Sequence, residues 1–194
     1  MGRGCLFGPV CAGAVILPAR HGIRGLHDSK ELDGATREKL SLQIQAKAIA
    51  WAVAEASTRE IERINIYQAS RLAMRRAVAT LSPAPEFLLI DAMKLDLALP
   101  QRSLIKGDAM CQSIAAASIV AKVHRDALLV AWDREYPEFG LARNKGYGTP
   151  EHLAALARFG PTPLHRRTFD PVRQLSLFDM AAGAQAALSA GASA

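Results

Sequence analysis

Cysteine is scarce in this chain: Cys5, Cys11 and Cys111 are the only three in 194 residues. An odd number with no CxxC spacing supports neither a disulfide framework nor a zinc site, so reduced, partly buried thiols are expected. Long apolar runs are missing too. Half of the residues are hydrophobic, yet no run approaches the roughly 18 needed to span a bilayer, and the start carries no charged segment followed by an apolar signal stretch. The expectation is a cytoplasmic chain with no membrane partner. One well-buried core fits in 194 residues and two do not fit comfortably, which predicts a single domain with a tail. Positive charge is in excess, +6 at pH 7 with a pI near 9.5, and makes nucleic acid the first anionic partner to consider.

The most informative stretch is LIKGDAMCQSIAAASIVAKVHRD at 104–126. Leu104 and Ile105 predict a short strand, Lys106-Gly107-Asp108 a turn, and Met110 onward a helix to about Tyr136, where Pro137 stops it. Ala115, Ala116, Ala117 and Ser118 remove bulk from one side of that helix, while Ile114, Ile119, Val123 and Leu128 supply apolar packing at roughly helical spacing. It should lie tightly on something flat. Asp108 is either the N-cap of this helix, with Lys106 a solvated charge, or the two deliver a carboxylate and a phosphate-binding amine to one site.

Around that stretch, residues 10 to 17 read as a buried strand ended by Pro18, and Asp33 or Gly34 begins a helix with Leu40 and Ile44 inward. Ile49, Trp51 and Val53 alternate with alanines as a half-buried strand. Ser57 and Glu60 stand at capping-box spacing, and Asn65 caps the helix that follows. Phe87 to Ile90 form an apolar strand that ends on Asp91. Because open α/β sheets gather ligands at strand ends, Asp91 and Asp108 could converge; the alternative is that Asp91 only begins a turn. Residues 143–149 read as a flexible basic loop in which Tyr147, between two glycines, suits a sugar or base beside phosphates or is an ordinary exposed tyrosine. His165-Arg166-Arg167 adds charge, and Thr149-Pro150 starts a helix that Gly160 ends.

The ordered motifs resemble bacterial ribonuclease HII, the type 2 ribonuclease H, from Gly2 to about Val172. The carriers are GRG at 2–4 with GPV at 8–10, DSK at 28–30, Asn65 with AMRRA at 73–77, LLID at 88–91, KGD at 106–108, SIAAASIVAK at 113–122, RD at 125–126, KGYGT at 145–149 and HRRTF at 165–169. The resemblance implies an α/β, ribonuclease H-like fold, a mixed five-stranded sheet flanked by helices. It implies hydrolysis of the RNA strand of RNA–DNA hybrids, including single ribonucleotides embedded in duplex DNA, with Mn2+ or Mg2+ at a two-metal site. Hard cations suit carboxylate oxygens, and Asp91 and Asp108 match two of the family's four site acids. Gly2, Arg3 and Gly4 match the segment that reads the 2′-hydroxyl. Ser29, Lys30 and Lys106 match phosphate-contacting positions, and Tyr147 matches the residue that stacks on a deoxyribose.

One departure matters. The family pattern is Asp-Glu, any residue, then Gly-Arg-Gly, and Met1 stands in the "any residue" place, so both leading acids are absent from this sequence. The first strand, central in the family's sheet, is absent with them. Two readings follow: a natural start upstream, with Asp-Glu encoded just before the Met1 codon, or a hybrid-binding pseudo-enzyme. The six bases before that codon distinguish them, and both readings expect the 194-residue chain to cleave poorly. Farther on, Gln174, Leu175, Leu177 and Phe178 resemble the peptide by which bacterial replication and repair proteins dock on the sliding clamp, unless the apolar residues pack back on the domain. The expected division is therefore a catalytic domain over 1–172, a clamp peptide over 173–180 and a disordered Ala/Gly/Ser tail over 181–194, in a monomer.

Overall fold

The alanine-rich run after Gly8-Pro9 extends as β1, Val10–Ile16, and pairs antiparallel with β2, Ala50–Ala56, setting Val10 opposite Ala56 and Ile16 opposite Ala50. A computed structural model describes residues 1–175 of the chain. They divide into two compact units: Met1–Arg3 with Pro9–Leu128, and Gly4–Gly8 with the residues from Leu129 onward.

In the first unit, α1 (Gly34–Lys47) starts where the sequence places it, because Asp33 accepts a hydrogen bond from the Thr36 N–H at 2.9 Å. Its Leu40 and Ile44 are buried. The expected capping box opens α2 (Thr58–Ala79): the Glu60 N–H donates to Ser57 Oγ, and the Ser57 N–H donates to Glu60 Oε2 at 2.9 Å. Hydrogen bonding from Arg76, 2.7 Å from Glu60 Oε1, and from the Ser57 N–H pulls the Glu60 carboxyl down to about 2. Asn65 sits at φ +66 and kinks α2, and its side chain accepts from the N–H groups of Tyr67 and Gln68. It caps the second half of the helix, as the sequence suggests.

Strand β3 (Leu88–Asp91) pairs parallel with β4 (Gln101–Leu104), with Asp91 opposite Leu104. The two ladders do not join. Among the described residues the α/β fold has two two-stranded sheets, one antiparallel and one parallel, in place of one continuous five-stranded sheet. On the side of β1 away from β2, the Cys11 N–H donates to the Met1 carbonyl at 3.1 Å.

The long helix is interrupted where the sequence predicts continuity. Residues Gly107–Met110 form a separate turn, α3, and Cys111 is extended (φ −137°, ψ 120°) before α4 runs over Gln112–Glu135. The small-residue face of α4 does pack closely. A Cβ on Gly13 of β1 would lie 2.2 Å from the Ala117 carbonyl oxygen, so only glycine fits beneath the helix there. Ala116, Ile119 and Val120 then complete a buried cluster with Ile23, Leu40 and Ile44.

In the second unit, the Phe7 ring is buried and meets Trp132, Tyr136 and His165 edge-on. Part of the expected loop is helical, α5 (Leu141–Asn144), followed by α6 (Pro150–Phe159), which Thr149 and Gly160 cap as the sequence predicts. The charged cluster at 165–167 needs correction. His165 and Arg166 are fully buried, Arg166 Nε donating to the Gly8 carbonyl at 2.9 Å, and only Arg167 is exposed. Residues 172–175 are helical; Leu177, Phe178 and the expected tail lie outside the described residues. No helix among the described residues is long and apolar enough to cross a membrane.

Candidate active site

Two acids come to one edge of the first unit because β3 and β4 run parallel. Asp91 is the last residue of β3, and the chain leaving Leu104, its neighbour on β4, turns back at once. Lys106 makes that turn in the left-handed region (φ 55°, ψ 43°) and stands exposed. Gly107 follows in a confined place: a Cβ there would be 2.7 Å from Ile114 Cδ1 and 3.5 Å from Asp91 Cα. The Gly107 N–H donates to Asp91 Oδ1 at 3.1 Å, which ties the Asp91 carboxylate to the residue just before Asp108. Asp108 lies in the first turn of α3 and does not cap the long helix; Lys106 occupies the cap position and makes no side-chain capping bond.

Asp91 and Asp108 are both half-buried, and among the described residues no protein group donates to Asp91 Oδ2 or to the Asp108 carboxylate. This donor set is hard oxygen. It suits one hydrated magnesium or manganese ion, which needs only one or two carboxylates beside water and phosphate ligands. No group of three or more His, Cys, Asp or Glu side chains gathers among the described residues, so a complete protein-walled site for two ions is not formed by them. Beside the turn opens a cavity of about 560 Å³, lined in part by Leu17, His21, Leu89, Arg102, Leu104 and Cys111.

The other sequence-predicted residues have distinct settings. Gly2 has φ +76 and lies against Arg125, so a Cβ there would come 2.1 Å from Arg125 Nε; Arg125 itself is buried and donates to the Pro9 carbonyl. Sequence reading gave Arg125 no role, since its place under Gly2 depends on tertiary contact. Arg3 and Gly4 are exposed. Ser29 is fully buried and its hydroxyl pairs with Ser118 Oγ at 2.7 Å, while Lys30 is exposed beside Asp28. Asp126 takes Lys122 at 2.6 Å and Arg37 at 3.4 Å, a structural ion cluster on α4. Tyr147, in the second unit, is 46% exposed on a backbone at φ +53 and +79 in the two preceding residues, Lys145 and Gly146.

A family model described as Ribonuclease HII matches residues 1–172. The chain belongs to the ribonuclease HII family. It is 56% identical over 195 aligned positions to the Ribonuclease HII of Solibacter usitatus, covering 95% of this chain and 86% of that one. With the Ribonuclease HII of Geobacillus thermodenitrificans it shares 57% identity over 173 positions, 89% of this chain and 67% of that one. Among solved structures, the ribonuclease H2 from Pyrococcus horikoshii superposes with a TM-score of 0.77 at 24% identity over 90% of this chain and 93% of that one. The RNase HII of an Archaeoglobus fulgidus complex with PCNA gives 0.72 at 23% identity, covering 88% and 92%. These structures identify the ribonuclease H-like fold.

Proposed function

We propose that this ribonuclease HII chain binds RNA–DNA hybrids and duplex DNA containing single ribonucleotides, and that its chemistry is hydrolysis of the RNA strand. The observation that carries the reading is the bond from the Gly107 N–H to Asp91, which ties the acid that ends β3 to the turn that carries Asp108. Asp91 and Asp108 would hold Mg2+ or Mn2+. Such a cation, when bound, supplies a hydroxide-like nucleophile near neutral pH and neutralises charge on the departing 3′ oxygen. The chain's own groups do the rest. Exposed Lys106 and Lys30 offer ammonium groups to phosphates, and Gly2, Arg3 and Gly4 form the segment proposed to sense the 2′-hydroxyl, the group that distinguishes RNA from DNA locally. Tyr147 offers a ring to the sugar beyond the ribonucleotide.

A second reading is hybrid binding without turnover, favoured by the two-carboxylate donor set. A two-ion mechanism asks for more carboxylate ligands than Asp91 and Asp108 provide. The test uses the full 194-residue chain and a fluorescent duplex with one embedded ribonucleotide. Binding is expected, with weak or absent cleavage in magnesium or manganese. Asp91→Asn and Asp108→Asn should each abolish any residual cutting while leaving binding intact. Robust magnesium-dependent cutting by the unaltered chain would remove the impaired-turnover reading; failure to prefer the ribonucleotide duplex over plain DNA would remove the substrate assignment.

A further inference from the structure

His152 and His165 have no part in the chemistry above, yet both imidazoles are fully buried and they touch, Nε2 to Nε2, at 3.0 Å. The positions of the neighbouring donors and acceptors fix the direction of that contact. At one end the Thr162 N–H, which can only donate, points at His165 Nδ1 at 3.0 Å, with the Thr162 hydroxyl at the same distance. His165 Nδ1 therefore carries a lone pair, and the neutral ring has its hydrogen on Nε2. That hydrogen is donated to His152 Nε2. His152 then carries its own hydrogen on Nδ1, 2.8 Å from the Tyr147 carbonyl oxygen, which can only accept. An obligatory donor and an obligatory acceptor thus end a chain of two imidazoles with one self-consistent polarity.

Burial keeps both rings neutral, His152 below its ordinary range and His165 down to about 3, where repulsion between the two rings if both were protonated and the Arg167 charge add to the effect. Phe7 and Phe139 pack edge-on against His165, each with centroids 4.8 Å away, and Phe139 also meets His152. The loop that receives the chain is tied elsewhere as well. The Tyr147 N–H donates to the Asn144 carbonyl, the Gly146 N–H to Asn144 Oδ1, and the Leu6 N–H to the Gly146 carbonyl. Residues 144–149 are therefore anchored by Asn144 within the loop, by the Leu6 backbone and by the His152 ring, while the Tyr147 ring is 46% exposed.

We infer that His152 and His165 are positioning residues for Tyr147: their relay fixes its carbonyl and thereby the direction in which its ring meets a bound duplex. This rests on the proposed contact between Tyr147 and the sugar. A merely structural pair would support the fold and leave the aim of the ring unaffected.

Two measurements on the full chain test it. Long-range proton–nitrogen correlation spectra should find His152 with its hydrogen on Nδ1 and His165 with its hydrogen on Nε2; the reverse assignment overturns the relay whatever the variants do. Binding to the ribonucleotide duplex, read by fluorescence anisotropy in EDTA, should weaken about 10-fold in Tyr147→Ala, the size of one lost stacking contact. His165→Phe keeps an aromatic ring against Phe7 and Phe139 but removes the donor, and should weaken binding about 5-fold, the equivalent of one hydrogen bond. In the Tyr147→Ala background it should add nothing. Unchanged binding in Tyr147→Ala overturns the sugar contact and the inference together. Weaker binding in Tyr147→Ala but unchanged binding in a folded His165→Phe overturns the inference alone. Should His165→Phe fail to fold, His152→Phe and the tautomer spectra decide.

Discussion

A neutral imidazole in a place that excludes water ties stability to acidity. Unfolded histidine takes up a proton below about 6.5, whereas His165 in the fold resists protonation down to about 3 and His152 is shifted the same way. Between those limits the unfolded state binds more protons, so the pair's contribution is complete above the unfolded value and is lost as pH falls from 6.5 toward 3. Each ring can contribute at most about 1.4 kcal/mol per pH unit in that window. Urea denaturation midpoints should accordingly fall between pH 6.5 and 5, and His165→Phe should flatten the slope; equal slopes in the two proteins would contradict the assignment. Glu60 acts in a lower window, since its carboxyl titrates near 2 and its stabilisation is lost only below its ordinary value of 4.5. Asp91 and Asp108 were legible as candidates because an apolar run ending in an acid, and a Lys-Gly-Asp turn, are local patterns, while their pairing as site acids came from the family resemblance. The histidine pair was not, since residues 152 and 165 meet through tertiary packing that no periodicity records.

Among the elements, caps were the most readable feature. Asp33, Ser57, Asn65 and Thr149 all begin helices where their side chains accept from backbone N–H groups two or three residues on. The box at the start of α2 is reinforced by Arg76, which joins Glu60 at 2.7 Å and the Glu55 carbonyl at 2.8 Å, so it links the end of β2 to the body of the helix. Replacing Glu60 with Ala should cost about 1 to 2 kcal/mol in denaturant unfolding, the usual value of a helix cap with a charged partner. An unchanged midpoint would mean that the box adds nothing in solution. The break at Cys111 was not readable. Met110-Cys111-Gln112 contains no glycine or proline, and the extended residue follows from the tight turn of α3 on the end of β3, which is a tertiary constraint.

Across the whole molecule, the ordered motifs carried the family resemblance and the basic balance only an anionic partner, while the division of the sheet into two ladders followed from tertiary packing. Gln174 and Leu175 end the described residues in a helical turn, where the Leu175 N–H donates to the Pro171 carbonyl. The peptide proposed to dock on a bacterial sliding clamp continues beyond them. A synthetic peptide spanning residues 173–180 should bind that clamp in calorimetric titration and lose binding on Leu177→Ala with Phe178→Ala; no binding, beside a known clamp ligand that does bind, removes the proposal. The close seat of Gly13 beneath Ala117 has a mechanical meaning as well. Backbone rests on backbone there, without a compliant layer of side chains to absorb displacement, so β1 and the stretch of α4 around Ala117 are held at a fixed separation. The turn bearing Asp108 is joined to that helix through Cys111 and through the close seat of Gly107 on Ile114, and its freedom to drift is correspondingly small.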